Sequence, residues 1–137
     1  METGRIYEET GFYTTYRPGF KLYNDFWNEQ FRRCQEGYTV GRYTITGDHY
    51  FFLNFYRLQS DGKDKSGRVI RTERFPSFMA EQYKWFHYYQ LCEYTKNDAC
   101  ALKPRGVGWS EMAASMGLNT YSTRRKSKCI YAAQQEP

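Results

Sequence analysis

From position 99 to position 114 the chain reads Ala-Cys-Ala-Leu-Lys-Pro-Arg-Gly-Val-Gly-Trp-Ser-Glu-Met-Ala-Ala, and no other stretch constrains the fold as much. A short apolar run, a loop with two glycines and a helix-forming tail predict a buried strand, a tight loop and the first turns of a helix. In such an arrangement loop amides and the positive end of a helix converge on one point, which suits a phosphate. The strict phosphate-loop pattern is G-x-x-x-x-G-K-[ST]. This segment keeps the second glycine, Gly108, and the hydroxyl, Ser110. It departs twice: Lys103 stands at the first glycine and Trp109 at the lysine. A lysine at the loop's opening still reaches a phosphate, because its ammonium acts as a point charge on a flexible stem. Ser110 is then placed to hold magnesium, and Arg105 adds a second positive charge. The alternative reading is a strand-to-helix turn with Lys103 and Arg105 solvated.

The chain's 137 residues allow one domain with a real core. A net charge of +5 and a pI near 9.0 suit an anionic partner, or serve solubility alone. Aromatic residues make up 20%, with 14 Tyr, 10 Phe and 3 Trp, so many rings must sit on half-exposed surface. Such rings stack nucleic-acid bases, or they cover a face that another part of a larger protein buries; the second is preferred here. Cys34, Cys92, Cys100 and Cys129 are too far apart for a zinc knuckle, and only His49 and His87 are present to help. Free thiols suit a reducing compartment. No signal-peptide pattern and no run of membrane-spanning length occurs, so a soluble intracellular chain is expected, with no membrane partner.

Residues 1 to 23 read as an extended arm with a turn at Arg17-Pro18-Gly19. Asn24 or Asp25 is expected to cap a helix running to about Glu36 and stopped by Gly37, with Trp27, Phe31 and Cys34 facing inward. Tyr38 to Thr46 predicts a hairpin turning at Gly41-Arg42. The aromatic block Tyr50 to Tyr56 predicts a short buried helical turn passing into a strand, with His49 as a hydrogen-bonded structural residue. Arg57 to Gln59 and Arg68 to Thr72 read as strands around a polar tip at 60–67. Ser77 is expected to cap a helix from Phe78 to about Tyr94. After Ser110 a helix should continue to about Thr120, with Met112, Ala113 and Met116 inward. A basic turn at 123–128 then leads to a parallel strand, Cys129 to Ala133. Strand, loop, helix and strand together make one βαβ unit.

Three blocks carry a resemblance: Ile45 to Phe55, Phe75-Pro76 with Gln82 on the helix that follows, and the loop from Lys103 to Ser110. Together they resemble the large terminase subunit of tailed bacteriophages, over roughly residues 38 to 137. In that family the phosphate-loop lysine is often displaced to the loop's start, with an aromatic residue in its usual place. The resemblance implies an α/β fold: the N-terminal part of a P-loop NTPase, with one βαβ unit in residues 77–137, preceded by a small aromatic-rich α+β segment in residues 1–76. It implies ATP and Mg2+ as cofactors. Lys103 would contact the β- and γ-phosphates, Gly106 and Gly108 would let the backbone approach them, with Trp109 in the loop, and Ser110 would bind magnesium. Arg105 would be the catalytic arginine that stabilises transferring charge. Gln82 would read adenine, with Phe75 or Phe78 as a stacking wall. Pro104 removes one amide donor from the loop.

The family's function is an ATP-driven motor that packages viral DNA. The implied partners are double-stranded DNA, the portal and the small terminase subunit, within a homo-oligomeric ring. The implied location is the host cytoplasm, docked on the procapsid. A complete motor also needs a later strand ending in acidic residues. The only acidic residue after Glu111 is Glu136. The expectation is therefore the front part of a larger protein, with weak ATP binding and no sustained hydrolysis by this portion. Two alternatives remain open: a stand-alone basic, aromatic-rich nucleic-acid-binding module without ATPase activity, and a capsid-associated interaction protein.

Overall fold

The computed structural model describes residues 2–63, 66–102 and 105–132. The element order is α1 (Glu2–Thr10), α2 (Lys21–Glu36), β1 (Tyr38–Val40), β2 (Tyr43–Ile45), α3 (Gly47–Asn54), β3 (Leu58–Lys63), β4 (Val69–Arg74), α4 (Ala80–Thr95) and α5 (Trp109–Thr123). Among the described residues the fold class is mixed: five helices and two small sheets.

The helix α3 is the hub. Its sequence, Gly-Asp-His-Tyr-Phe-Phe-Leu-Asn, is buried on nearly every face, including the polar His49 and Asn54, as in a helix surrounded by protein. It packs against α2, α5, α1 and α4. Thr46 caps it, accepting from the His49 amide at 3.2 Å. Gly47 lets its first turn approach α2: a Cβ there would run into the Cys34 carbonyl. Phe52 and Leu53 of α3 join Phe86 of α4 and Met112 and Met116 of α5 in the central core. That core draws on both sides of the boundary expected at residue 76.

Asn119 of α5 stitches three helices. Its Nδ2 donates to the Cys34 carbonyl at 2.9 Å and to Asp48 Oδ1 at 2.8 Å. At the far end Gln35 donates to the Thr123 carbonyl at 2.8 Å. Around Tyr13 the rings of Tyr7, Trp27, Phe55 and Phe75 meet edge-on or tilted and bring α1 onto the rest.

Both sheets are antiparallel hairpins. β1 pairs with β2 in the register Tyr38↔Ile45 to Val40↔Tyr43, turning at Gly41-Arg42 as the sequence predicts. β3 pairs with β4 from Leu58↔Arg74 to Lys63↔Val69, so the strands run further into the polar tip than expected.

The parallel βαβ unit expected around α5 is not formed among the described residues. Ala99 to Leu102 and residues 124–132 carry no strand, and residue 133 lies outside the described residues. A parallel strand needs neighbours on its edges and cover on its faces, and Leu102 and Ile130 are exposed instead. Segment 128–131 crosses α5 as an irregular strap. Tyr131 donates to the Ala113 carbonyl at 2.7 Å, and its ring fills the space that Gly117 leaves by having no side chain.

Three boundaries also differ. The expected N-terminal arm is helical over Glu2–Thr10, because Thr3 and Gly4 sit down on the α2–α3 surface; residues 11–20 do lack regular structure. The helix α2 begins at Lys21 with no side-chain cap, and it buries Gln30 and Cys34 while Phe31 stays exposed. The helix α4 begins at Ala80 after Met79, so Ser77 is not its cap.

Candidate functional site

The loop at 105–108 delivers the chain into the N-terminus of α5. Gly106 and Gly108 have φ of +88° and +75°, values that strain any side-chain-bearing residue. They bend the loop back so that Gly108 serves as the N-cap with no side-chain hydrogen bond to the helix. The first intrahelical bond closes from the Met112 amide to the Gly108 carbonyl at 3.0 Å. The earlier amides, of Trp109, Ser110 and Glu111, have no acceptor within the helix. They form the positive end that an anion seeks.

Beneath this loop lies Gln82 of α4. Its side chain is buried, and Nε2 donates to the Val107 carbonyl at 3.1 Å. Its Oε1 is buried and has no partner among the described residues. The helix α4 thus holds the loop from below, across 25 positions of sequence. Beside it Trp109 leans on Trp85, ring centroids 3.9 Å apart at 55°. Ser110 and Arg105 are exposed. Glu111, also in the first turn, brings a negative charge; its carboxylate accepts from the Tyr56 hydroxyl, whose pKa is raised, first by burial and then by that bond.

The structure therefore gathers Gln82, Arg105, Gly106, Gly108, Trp109 and Ser110 into one region. Lys103 and Pro104 lie outside the described residues. Phe78 and Phe75 point elsewhere: Phe78 stacks on His49 at 5.5 Å, and Phe75 meets the edge of Tyr7 at 5.9 Å. Among the described residues no group of three His, Cys, Asp or Glu is arranged to hold a metal. A magnesium ion carried by phosphates and one hydroxyl would not require such a group.

His49 is fully buried between Phe86, at 4.7 Å and 14°, and Phe78. Neither ring nitrogen has a partner among the described residues, so it is structural but not hydrogen-bonded through its ring. Burial, and secondarily the charge of His87, push its pKa down to about 4.

The sequence reading missed a cleft of about 390 Å³ between α4, α5 and the strap, lined by Asp48, Trp85, Tyr89, Trp109 and Tyr131, with Lys128 also on its wall. Trp85 and Tyr89 stand at i and i+4 on α4, a visible signal. Asp48 reaches them only through tertiary packing. No protein-family model, no curated protein and no solved structure matches the chain.

Proposed function

We propose that the loop from Lys103 to Ser110 binds the phosphates of a nucleoside triphosphate with magnesium, as the nucleotide-binding portion of a terminase-like DNA-packaging motor. One observation carries this reading: buried Gln82 donates to Val107 and docks α4 under the glycine-bearing loop at the uncapped start of α5. The resemblance names the deviant loop and Gln82 together, and here they are in contact. In this reading Lys103 supplies the ammonium, Ser110 the magnesium-binding hydroxyl and Arg105 a mobile charge for the transferring phosphoryl group. Gln82 supports the loop, since both ends of its amide are buried.

Calorimetric titration with ATP and magnesium tests the reading. Saturable binding weakened at least about tenfold in both Lys103→Ala and Ser110→Ala is the expected result. Equal binding by wild type and both variants, or none at millimolar nucleotide, defeats it.

A second reading has its own support. Arg124, Arg125 and Lys126 are exposed in one turn beside exposed Tyr121 and Phe31. Charge next to open rings suits single-stranded nucleic acid. That reading requires salt-sensitive binding lost in Arg124→Ala with Arg125→Ala, and unaffected by Lys103→Ala.

A further inference from the structure

The cleft between α4, α5 and the strap has a composition that neither reading uses. Its walls are aromatic: Trp85 and Trp109 set at 55° to one another, Tyr89 with its centroid 6.0 Å from that of Trp85, and Tyr131 from the strap. Asp48 also lines it. One carboxylate oxygen of Asp48, Oδ1, accepts from Asn119 at 2.8 Å; the other, Oδ2, has no partner among the described residues. Nor does Asp48 form an ion pair there, although Lys128 lines the same space.

The charged groups lining the cleft are Asp48 and Lys128, and they are not paired with one another. Burial holds the Asp48 carboxyl above its ordinary range, against the Asn119 bond and the field of Arg124. Burial, then the neighbouring Asp48 charge, do the same to Glu93. A cation entering the cleft gives the Asp48 carboxylate a partner. The ring faces then add attraction, because an ammonium over an indole or phenol face is drawn by the ring quadrupole, most strongly when it is desolvated. An uncharged ligand gains only the apolar contact.

We propose that this cleft binds an alkylated ammonium group, carried by a free amine or by a lysine side chain presented on a peptide. The volume of about 390 Å³ exceeds what one such head fills, so it admits the aliphatic stem as well. The strap supplies one wall. Tyr131 of that wall donates to the Ala113 carbonyl at 2.7 Å.

Intrinsic fluorescence provides the readout, since Trp85 and Trp109 are in the cleft while Trp27 belongs to the cluster around Tyr13. The probes are choline, its uncharged isostere 3,3-dimethylbutan-1-ol, and short peptides carrying trimethyl-lysine or alanine at one position. Choline should bind saturably and at least about tenfold more tightly than the alcohol. Asp48→Asn should lose that preference, and Lys103→Ala should retain it. Tighter binding of the trimethyl-lysine peptide than of choline identifies a peptide source; the reverse identifies a free amine. Equal binding of choline and its isostere by the wild-type protein overturns the proposal without recourse to any variant. So does the absence of saturation by either cation.

Discussion

Gln82 Nε2 donates to the Val107 carbonyl oxygen at 3.1 Å, and this bond fastens the glycine-bearing loop to α4. Truncation would leave the Val107 carbonyl without its partner and open space beneath the loop. Gln82→Ala is expected to lower stability by about 2 kcal/mol, combining a lost hydrogen bond with a small cavity. Gln82→Met fills the space and removes the buried, unpartnered Oε1, so it should cost about 1 kcal/mol or less. Urea denaturation of the two variants beside wild type checks the order. A larger loss for Met than for Ala would contradict the packing described.

Asn119 holds α2, α3 and α5 together by donating from one amide nitrogen to Cys34 and to Asp48. Asn119→Asp replaces the donor with an acceptor facing a carbonyl and a carboxylate. Stability should fall by roughly 3 kcal/mol or more at neutral pH, through lost bonds and like-charge repulsion in a buried setting. Asn119→Ala should cost about 2 kcal/mol, because it loses the bonds without adding repulsion. Thermal unfolding followed by circular dichroism separates the two. If Asp is no worse than Ala, the Asp48 carboxylate does not face this position.

The sequence made local structure legible where turn chemistry and caps decide it. The Gly41-Arg42 hairpin, the stop at Gly37 and the helix after Gly108 all follow from residues within a few positions. It failed where tertiary contact decides. Tyr50 to Tyr56 has no clean period because α3 is covered on almost all sides, and a helix without a polar face looks like a buried strand. Ala99 to Leu102 and Cys129 to Tyr131 have strand-like composition, yet among the described residues no strand edge pairs with them. Gln82 was singled out by resemblance, but its contact with Val107 was not visible. The cleft was invisible for the same reason: Asp48 comes from α3 and its aromatic neighbours from α4, α5 and the strap.

Gly47 and Gly41 make a controlled pair. A Cβ at Gly47 would collide with the Cys34 carbonyl, and neither helix can yield without disturbing the core. Gly47→Ala is expected to cost about 3 kcal/mol, the scale of overpacking at a tight backbone contact. Gly41 has φ of +58° but nothing within 4 Å of an added Cβ. Gly41→Ala should cost only about 1 kcal/mol, the strain of the left-handed conformation. Equal losses in chemical denaturation would mean that α2 and α3 do not approach as closely as described.

His49 sets a pH dependence with a definite sign. Its pKa falls from 6.5 to about 4 on folding, chiefly because the ring is desolvated. Between those values the unfolded chain takes up a proton that the native state refuses. Stability is therefore expected to fall as pH drops through that window, and the His49 contribution is flat above and below it. The full effect amounts to about 3 kcal/mol. Asp48 and Glu93, held above their ordinary values, act in the opposite sense. The His49 share is thus read as the difference between wild type and His49→Leu, which keeps an apolar side chain between Phe78 and Phe86. Urea midpoints from pH 4 to 7.5 should show the leucine variant gaining on wild type as acid is added. It should at least match wild type at neutral pH, because the substitution also removes two buried nitrogens without partners. Parallel curves for the two proteins would show that His49 is protonated in the native state, and hence that the Phe78–His49–Phe86 stack is open to water.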